Sequence, residues 1–329
     1  MVTDKVSGMR VMEGQALAAC LAVLLASGCG PSPDQGAVGA RPGPAGGQTA
    51  AKPSPSASPS PCVKAYRDDA AAARAKKALT AGLKRLVAKR PGRVEIMAKD
   101  LASGAVVGYH EDGAEQITAS GAKVDIAVTL LRKVRAGHHK LSGWERETLE
   151  QMIEHSDNKA ADALYARIGG AEAVSATYAA LRMTHTHPGP SHYWGGTTTS
   201  PSDRVRLMTA LVKGSKAVHP NDRAYVLKLM ELVEPGQKWG VSAAARAGDR
   251  VSLKNGWTPR PFIHDTWAVT SYGWVHGRGR SYVISVQTDI QPGMESGVAT
   301  IESAGKLIAA HMSDLNPVRY RSCVSPVAP

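Results

Sequence analysis

Phenylalanine is nearly missing from this 329-residue chain, with one residue against six Trp and nine Tyr, and nothing in the sequence accounts for that bias. No basic block interleaved with aromatics is present, which argues against a nucleic-acid partner. No internal repeat stands out. The apolar run near the start, residues 16–26, is too short to span a bilayer stably and has the length of a signal-peptide core. Between Gly30 and Pro61 large apolar side chains are almost absent. A segment of Pro, Gly, Ser and Ala cannot bury enough surface to fold, so it is expected to be a tether. Cysteine is scarce, at four residues.

What is present looks like an export signal, which makes a location outside the cytoplasm the expectation. Arg10 precedes the apolar run, which ends in Leu25-Ala26-Ser27-Gly28-Cys29. That ending resembles a bacterial lipobox, in which Cys29 becomes the lipidated first residue; an ordinary secretory signal cut nearby is the alternative. The expected organisation is therefore a signal peptide over 1–29, a tether over 30–61 and one domain over 62–329. Cys20 falls in the signal, which leaves Cys62 and Cys323 at opposite ends of the domain. In an oxidising compartment they are expected to form a disulfide that pins both termini, two unpaired thiols being the alternative. The net charge of +12 suits attraction to anionic wall polymers or lipid headgroups, or is simply a solvated basic surface.

Within the domain, residues 68–89 are Ala-rich, with Leu79, Leu83 and Leu86 at helical spacing. Residues 94–98 and 105–109 read as strands joined at Ser103-Gly104. A long helical stretch follows from Ser120 to about Leu211, interrupted at 136–139 and 185–199. Residues 250–254, 266–275 and 282–288 read as three more strands, and 298–312 as a last helix. This order implies an α+β sandwich: a five-stranded antiparallel sheet flanked by the N- and C-terminal helices, with an inserted all-helical lobe.

Three short elements stand in order on these predicted structures: Ser120-Gly-Ala-Lys123 at a helix start, Ser156-Asp157-Asn158 between two helical segments, and Lys254-Asn255-Gly256 at a strand end. Three residues apart on a helix, Ser120 and Lys123 share a face. A partly desolvated Lys there has a lowered pKa and can take the Ser proton. The helix start also places positive dipole potential beside a developing oxyanion. Each element alone has a dull explanation: a cap, a helix break, a strand-end lysine. Two decoys show how weak the single patterns are. Ser303-Ala-Gly-Lys306 lies inside the last helix, and Lys238-Trp239-Gly240 follows Pro235-Gly236 in a loop.

The set and its order resemble the serine hydrolases related to class A β-lactamases and penicillin-binding proteins. Ile168-Gly169-Gly170 adds to the likeness. Thr197-Thr198-Thr199-Ser200-Pro201 resembles the segment that closes that family's Ω-loop. The resemblance implies a β-lactamase/transpeptidase-like fold, no cofactor, and a β-lactam, wall peptide or ester as substrate. It implies Ser120 as nucleophile, Lys123 as general base and Ser156 as proton carrier to the leaving nitrogen. Asn158, Lys254, Asn255 and Gly256 are implied in substrate binding, with Lys254 also supporting Ser156. The backbone N–H groups of Ser120 and Trp257 would form the oxyanion hole. The expected molecule is a monomer held at the membrane by lipid.

Three departures bear on activity. There is no Glu between Glu172 and Glu231, so the Ω-loop residue that activates the deacylating water in class A enzymes is missing. Asp203 and Asp222 lie after the loop and are poor substitutes. Asn255 stands where the family carries Thr or Ser, and the stretch from Ser120 to Ser156 is short, which implies a lower cleft wall. His185, His187 and His192 cluster in the altered loop as solvated side chains, with a metal site or a replacement base as the sharper reading; no metal is expected.

Overall fold

A computed structural model describes residues 63–113 and 116–323. Cys29, Cys62 and the segments assigned above as signal and tether lie outside the described residues. The element order is β1 (Val63–Arg67), α1 (Asp69–Val87), β2 (Arg93–Asp100), β3 (Val106–Tyr109), β4 (Gln116–Ile117), α2 (Ala122–Ala136), α3 (Gly143–Glu154), α4 (Asn158–Ile168), α5 (Gly170–Leu181), β5 (Thr198–Thr199), α6 (Pro201–Lys213), α7 (Pro220–Glu231), β6 (Arg250–Arg260), β7 (Thr266–Gly277), β8 (Arg280–Gln291), α8 (Met294–His311) and β9 (Val318–Ser322).

The sheet is five-stranded and antiparallel in the order β3-β2-β8-β7-β6. One face packs on α1 and α8 through Leu79, Leu83, Val286, Ile301 and Ile308, all buried. The opposite face meets the helical lobe, whose core includes Val128, Leu131, Ile153, Leu164 and Met208 and reaches the sheet at Tyr272 and Val283. The expected sandwich is therefore found, with the lobe as its second helical layer.

Local chemistry sets the helix starts. Asp68 accepts from the Ala71 N–H at 2.9 Å. Ser142 and Glu145 form a reciprocal capping box, Asp157 accepts from the Ala160 N–H at 2.7 Å, and Ser200 accepts from the Asp203 N–H at 3.1 Å. Such side chains satisfy N–H groups that the helix leaves orphaned.

Three features differ from expectation. Helix α7 was passed over, although Pro220 opens it and Val226, Leu229 and Met230 lie at helical spacing on its buried side. Ser120 does not begin the α-helix; it sits in a 3₁₀ turn, Ala119–Gly121, which leads into α2 and makes no side-chain cap. The chain ends pair as a small ribbon, β1 against β9. Its register sets Val63 opposite Ser322, each the sequence neighbour of a cysteine. Cys323 is disulfide-bonded.

Candidate active site

Two chain segments, 120–123 and 156–158, converge on the Lys123 amine. Its Nζ lies 3.0 Å from Ser120 Oγ, 3.1 Å from Ser156 Oγ and 2.8 Å from Asn158 Oδ1, and it also donates to the Ser156 carbonyl. Ser156 makes the carbonyl contact through a left-handed backbone, φ 56°. That conformation costs of order 1–3 kcal/mol in a non-Gly residue and persists where its surroundings hold it. The two carbonyl oxygens can only accept, so they take two Lys123 N–H groups. A neutral amine then has its lone pair left for the Ser120 hydroxyl proton.

Lys123 is buried. Burial brings its pKa from 10.5 to about 8, while the carboxylates of Asp157 and Asp162 pull the other way. Lys254, on β6, places Nζ 2.9 Å from Ser156 Oγ. Its pKa is pushed well below the usual lysine value by burial and then by the Lys123 charge. Two amines sharing one serine hydroxyl thus disfavour double protonation. The Ser156 hydroxyl bridges them.

Strand alternation decides which residues of β6 face this cluster. Lys254 and Gly256 point toward it, and Leu253, Asn255 and Trp257 toward the α1/α8 side. A Cβ on Gly256 would fall 2.2 Å from the Thr118 carbonyl oxygen and 3.0 Å from the Ser120 nitrogen, so only glycine lets β6 approach the nucleophile turn. The Asn255 side chain is fully buried. Its amide donates to the Gln237 and Trp239 carbonyls at 2.7 and 3.1 Å. The expectation that Asn255 binds substrate is corrected on this point: the period-2 pleat turns it away, and it holds the loop preceding β6.

Several positioning residues escaped the sequence reading. Trp194, in a turn of the altered loop, lays its ring 4.9 Å from Lys123 Nζ and donates Nε1 to Asp162 Oδ1 at 2.7 Å. It is 9 % exposed and closes the loop-side face of Lys123. Gln237 Oε1 accepts from Lys254 at 3.4 Å, and its amide donates to Glu234 at 2.8 Å. Glu234 also meets His155 at 3.2 Å, and these contacts hold its carboxyl below the usual range. The only sequence signals were a Trp inside a Gly-rich loop and polar residues flanking a discarded motif.

Beneath the nucleophile turn lies a buried ionic cluster. Arg204 donates to both oxygens of Asp125 at 2.8 and 3.0 Å and to Thr199 Oγ1 at 3.0 Å. The Tyr178 hydroxyl donates to Asp125 at 3.0 Å. The Tyr272 hydroxyl donates to the Gly121 carbonyl at 2.7 Å, and its ring lies 5.6 Å from the Arg204 guanidinium. Asp125 keeps Arg204 protonated despite its burial. The Thr197–Pro201 segment ties into the same place. Thr118 N–H donates to the Thr197 carbonyl at 2.8 Å, and β4 pairs with β5. Asp203 accepts from the His185 N–H and the Thr186 hydroxyl, and Asp222 is held bidentately by Arg135. Neither faces Lys123. His187 and His192 are exposed, His185 lies 3.7 Å from Asp112, and no cluster of metal-ligating side chains occurs among the described residues. Ser303, the decoy, donates to the Ala299 carbonyl within α8.

The family model described as "Beta-lactamase enzyme family" matches residues 78–143 and 145–312. The chain belongs to this β-lactamase enzyme family. A protein named "Putative lipoprotein LppW" in Mycobacterium tuberculosis is 30% identical over 221 residues, covering 64% of this chain and 68% of that protein. Among solved structures, PBP-A shares 21% identity with a TM-score of 0.61, covering 72% of this chain and 96% of that one. A class A β-lactamase from Mycobacterium abscessus shares 18% with a TM-score of 0.61, covering 71% and 99%. At these identities the structural matches speak to the fold. In β-lactamase terms, the loop that lacks Glu here offers the indole of Trp194 to the lysine.

Proposed function

We propose that the protein is a serine hydrolase of the cell envelope, acylated on Ser120 by a β-lactam or a related amide or ester and deacylated slowly. The observation that carries this reading is the Lys123 amine, 3.0 Å from Ser120 Oγ and bonded as well to the Ser156 and Asn158 carbonyl oxygens and to Ser156 Oγ.

In the proposed cycle neutral Lys123 takes the Ser120 proton as Oγ attacks the carbonyl. The N–H groups of Ser120 and Trp257 receive the oxyanion, in the gap that Gly256 leaves open. The proton passes from Lys123 through Ser156 Oγ to the leaving nitrogen. Lys254 orients Ser156, and Asn158, one of whose amide atoms is used by Lys123, offers the rest of its side chain to substrate. Slow deacylation follows from the loop: no Glu stands between Glu172 and Glu231, and Trp194 covers the face of Lys123 from which such a residue would deliver water. A mutant of PBP-A forms an acyl-enzyme complex with penicillin G, which makes a penicillin the natural first probe. The lipobox-like Cys29 and the name of the LppW relative support lipid anchoring at the membrane, and wall peptides are then within reach as substrates.

The test is the intact mass of the protein after incubation with penicillin, beside Ser120→Ala. The expected result is a persistent adduct in the wild type and none in the variant. Rapid Ser120-dependent loss of penicillin without an adduct would show that another group activates water. Intact drug and no adduct would remove penicillins from the substrate class.

A further inference from the structure

The first described elements carry most of the molecule's charge. Residues 63–93 hold ten Lys and Arg against two Asp, a net of +8 within a chain of +12. On α1 the buried residues Ala72, Leu79, Leu83 and Val87 define one face. At 100° per residue, Arg74, Lys77, Lys84 and Arg85 form a stripe on the opposite face, separated only by Ala and Thr. All four are exposed, and among the described residues no carboxylate forms an ion pair with any of them, although the Arg74 charge is felt by Asp68. Ion pairs within one helix face are the usual use of such residues, and this face has none.

The ribbon beside α1 is unusual in a second way. An isolated two-stranded sheet is marginal in water unless something covers it, and β1 is exposed along its whole length. Its register puts Val63, Ala65, Tyr320 and Val318 on one face, with Arg67 at its edge and Tyr320 72% exposed. The other face carries Lys64, Tyr66, Arg319 and Arg321, the Arg321 guanidinium lying 5.1 Å from the Tyr66 ring. The two acids at the start of α1 are consumed by ribbon arginines, Asp69 by Arg67 at 3.3 Å and Asp68 by Arg319 at 2.7 Å. Lys64 and Arg321 remain. Between α1 and the β2–β3 turn lies a cleft of about 440 Å³ lined by Asp69, Lys76, Ser103 and Val106 among others, with Arg67 of the ribbon at its rim.

We propose that the solvent face of α1 and the β1–β9 ribbon form a docking surface for an anionic lipid bilayer. A segment in which ten cations stand against two carboxylates matches a negatively charged headgroup layer. Exposed Tyr beside aliphatic side chains suits the boundary between headgroups and hydrocarbon, whereas a purely polyanionic wall polymer has no use for the apolar face. The placement fits the chain order too. The Pro/Ser/Gly/Ala-rich segment, 30–61, ends two positions before β1 begins at Val63. A lipid at Cys29 would deliver this face to the membrane first. The proposal rests on the envelope-anchored reading for its biological setting, but the face is tested without the anchor.

The test uses residues 60–329, which contain both hydrophobic cores, in co-sedimentation with phosphatidylglycerol/phosphatidylcholine vesicles. Binding is expected to the mixed vesicles and not to pure phosphatidylcholine, and to weaken steeply with salt. With about a fivefold effect per cation at such a surface, the combined variant Arg74→Gln, Lys77→Gln, Lys84→Gln, Arg85→Gln should bind at least about a hundredfold more weakly. Tyr320→Ser with Val318→Ser should weaken binding further at high salt. The control pair Lys213→Gln and Lys216→Gln on the helical lobe should bind as wild type, and all variants should keep wild-type circular dichroism and penicillin acylation. No binding to anionic vesicles, equal losses in the α1 and control variants, or tighter binding to purified wall polymer than to vesicles would overturn the proposal. Membrane release of full-length Cys29→Ser reports on the anchor separately.

Discussion

In the proposed cycle acylation of Ser120 requires a neutral Lys123, so its rate should follow the titration of that amine. Burial brings the Lys123 pKa to about 8 from 10.5. At pH 7 the neutral fraction is then about one tenth, against roughly three in ten thousand for an unperturbed lysine, a gain of about 300-fold or 3.4 kcal/mol in available base. The sign is that of a base: the reactive form is gained as pH rises through the lowered pKa. The second-order acylation rate with a fluorescent penicillin should therefore climb about tenfold per pH unit from 6 to 7.5 and level off above about 9. The charge of Asp162 holds this pKa up. Asp162→Asn keeps an acceptor for Trp194 Nε1 and removes the charge. The midpoint should then fall by a few tenths of a pH unit, with about a twofold faster rate at pH 7. A rate that is flat between pH 6 and 9, or an Asp162→Asn midpoint that rises, would refute the assignment of Lys123 as the base.

Three further outcomes follow from particular contacts. Trp194→Ala uncovers the loop side of Lys123, so the penicillin adduct should lose at least tenfold in lifetime while still forming, read by mass spectrometry over time; an unchanged lifetime would mean the indole does not exclude water. Gly256→Ala puts a methyl group 2.2 Å from the Thr118 carbonyl oxygen, and forcing β6 from the nucleophile turn should slow acylation by about a hundredfold or more. Arg204→Met leaves Asp125 buried and unpaired, which should cost about 3–5 kcal/mol in urea unfolding, much more than Arg206→Met at a half-exposed site.

Helix periodicity, cap residues and β-alternation are local properties, and they made the sandwich legible before any coordinates. The spacing of Ser120 and Lys123 on one side of a helical segment was legible for the same reason, and so was the dismissal of Ser303 and Lys306 inside α8. The sequence by itself therefore determined the candidate residues for the chemistry, the order in which they come, and the absence of Glu between Glu172 and Glu231. It did not determine which way side chains face where the pleat and the loops decide. Asn255 was read with Lys254 because they are adjacent, yet adjacency in a strand means opposite faces. Trp194 lies 71 positions from Lys123, and no local pattern pairs an indole with an amine across that distance. The Asp125–Arg204 pair is likewise non-local, and α7 was hidden in a stretch read as connection. Only the tertiary structure decided that Lys123 is dry enough to titrate near pH 8 rather than 10.5, because desolvation depends on every layer that packs around it.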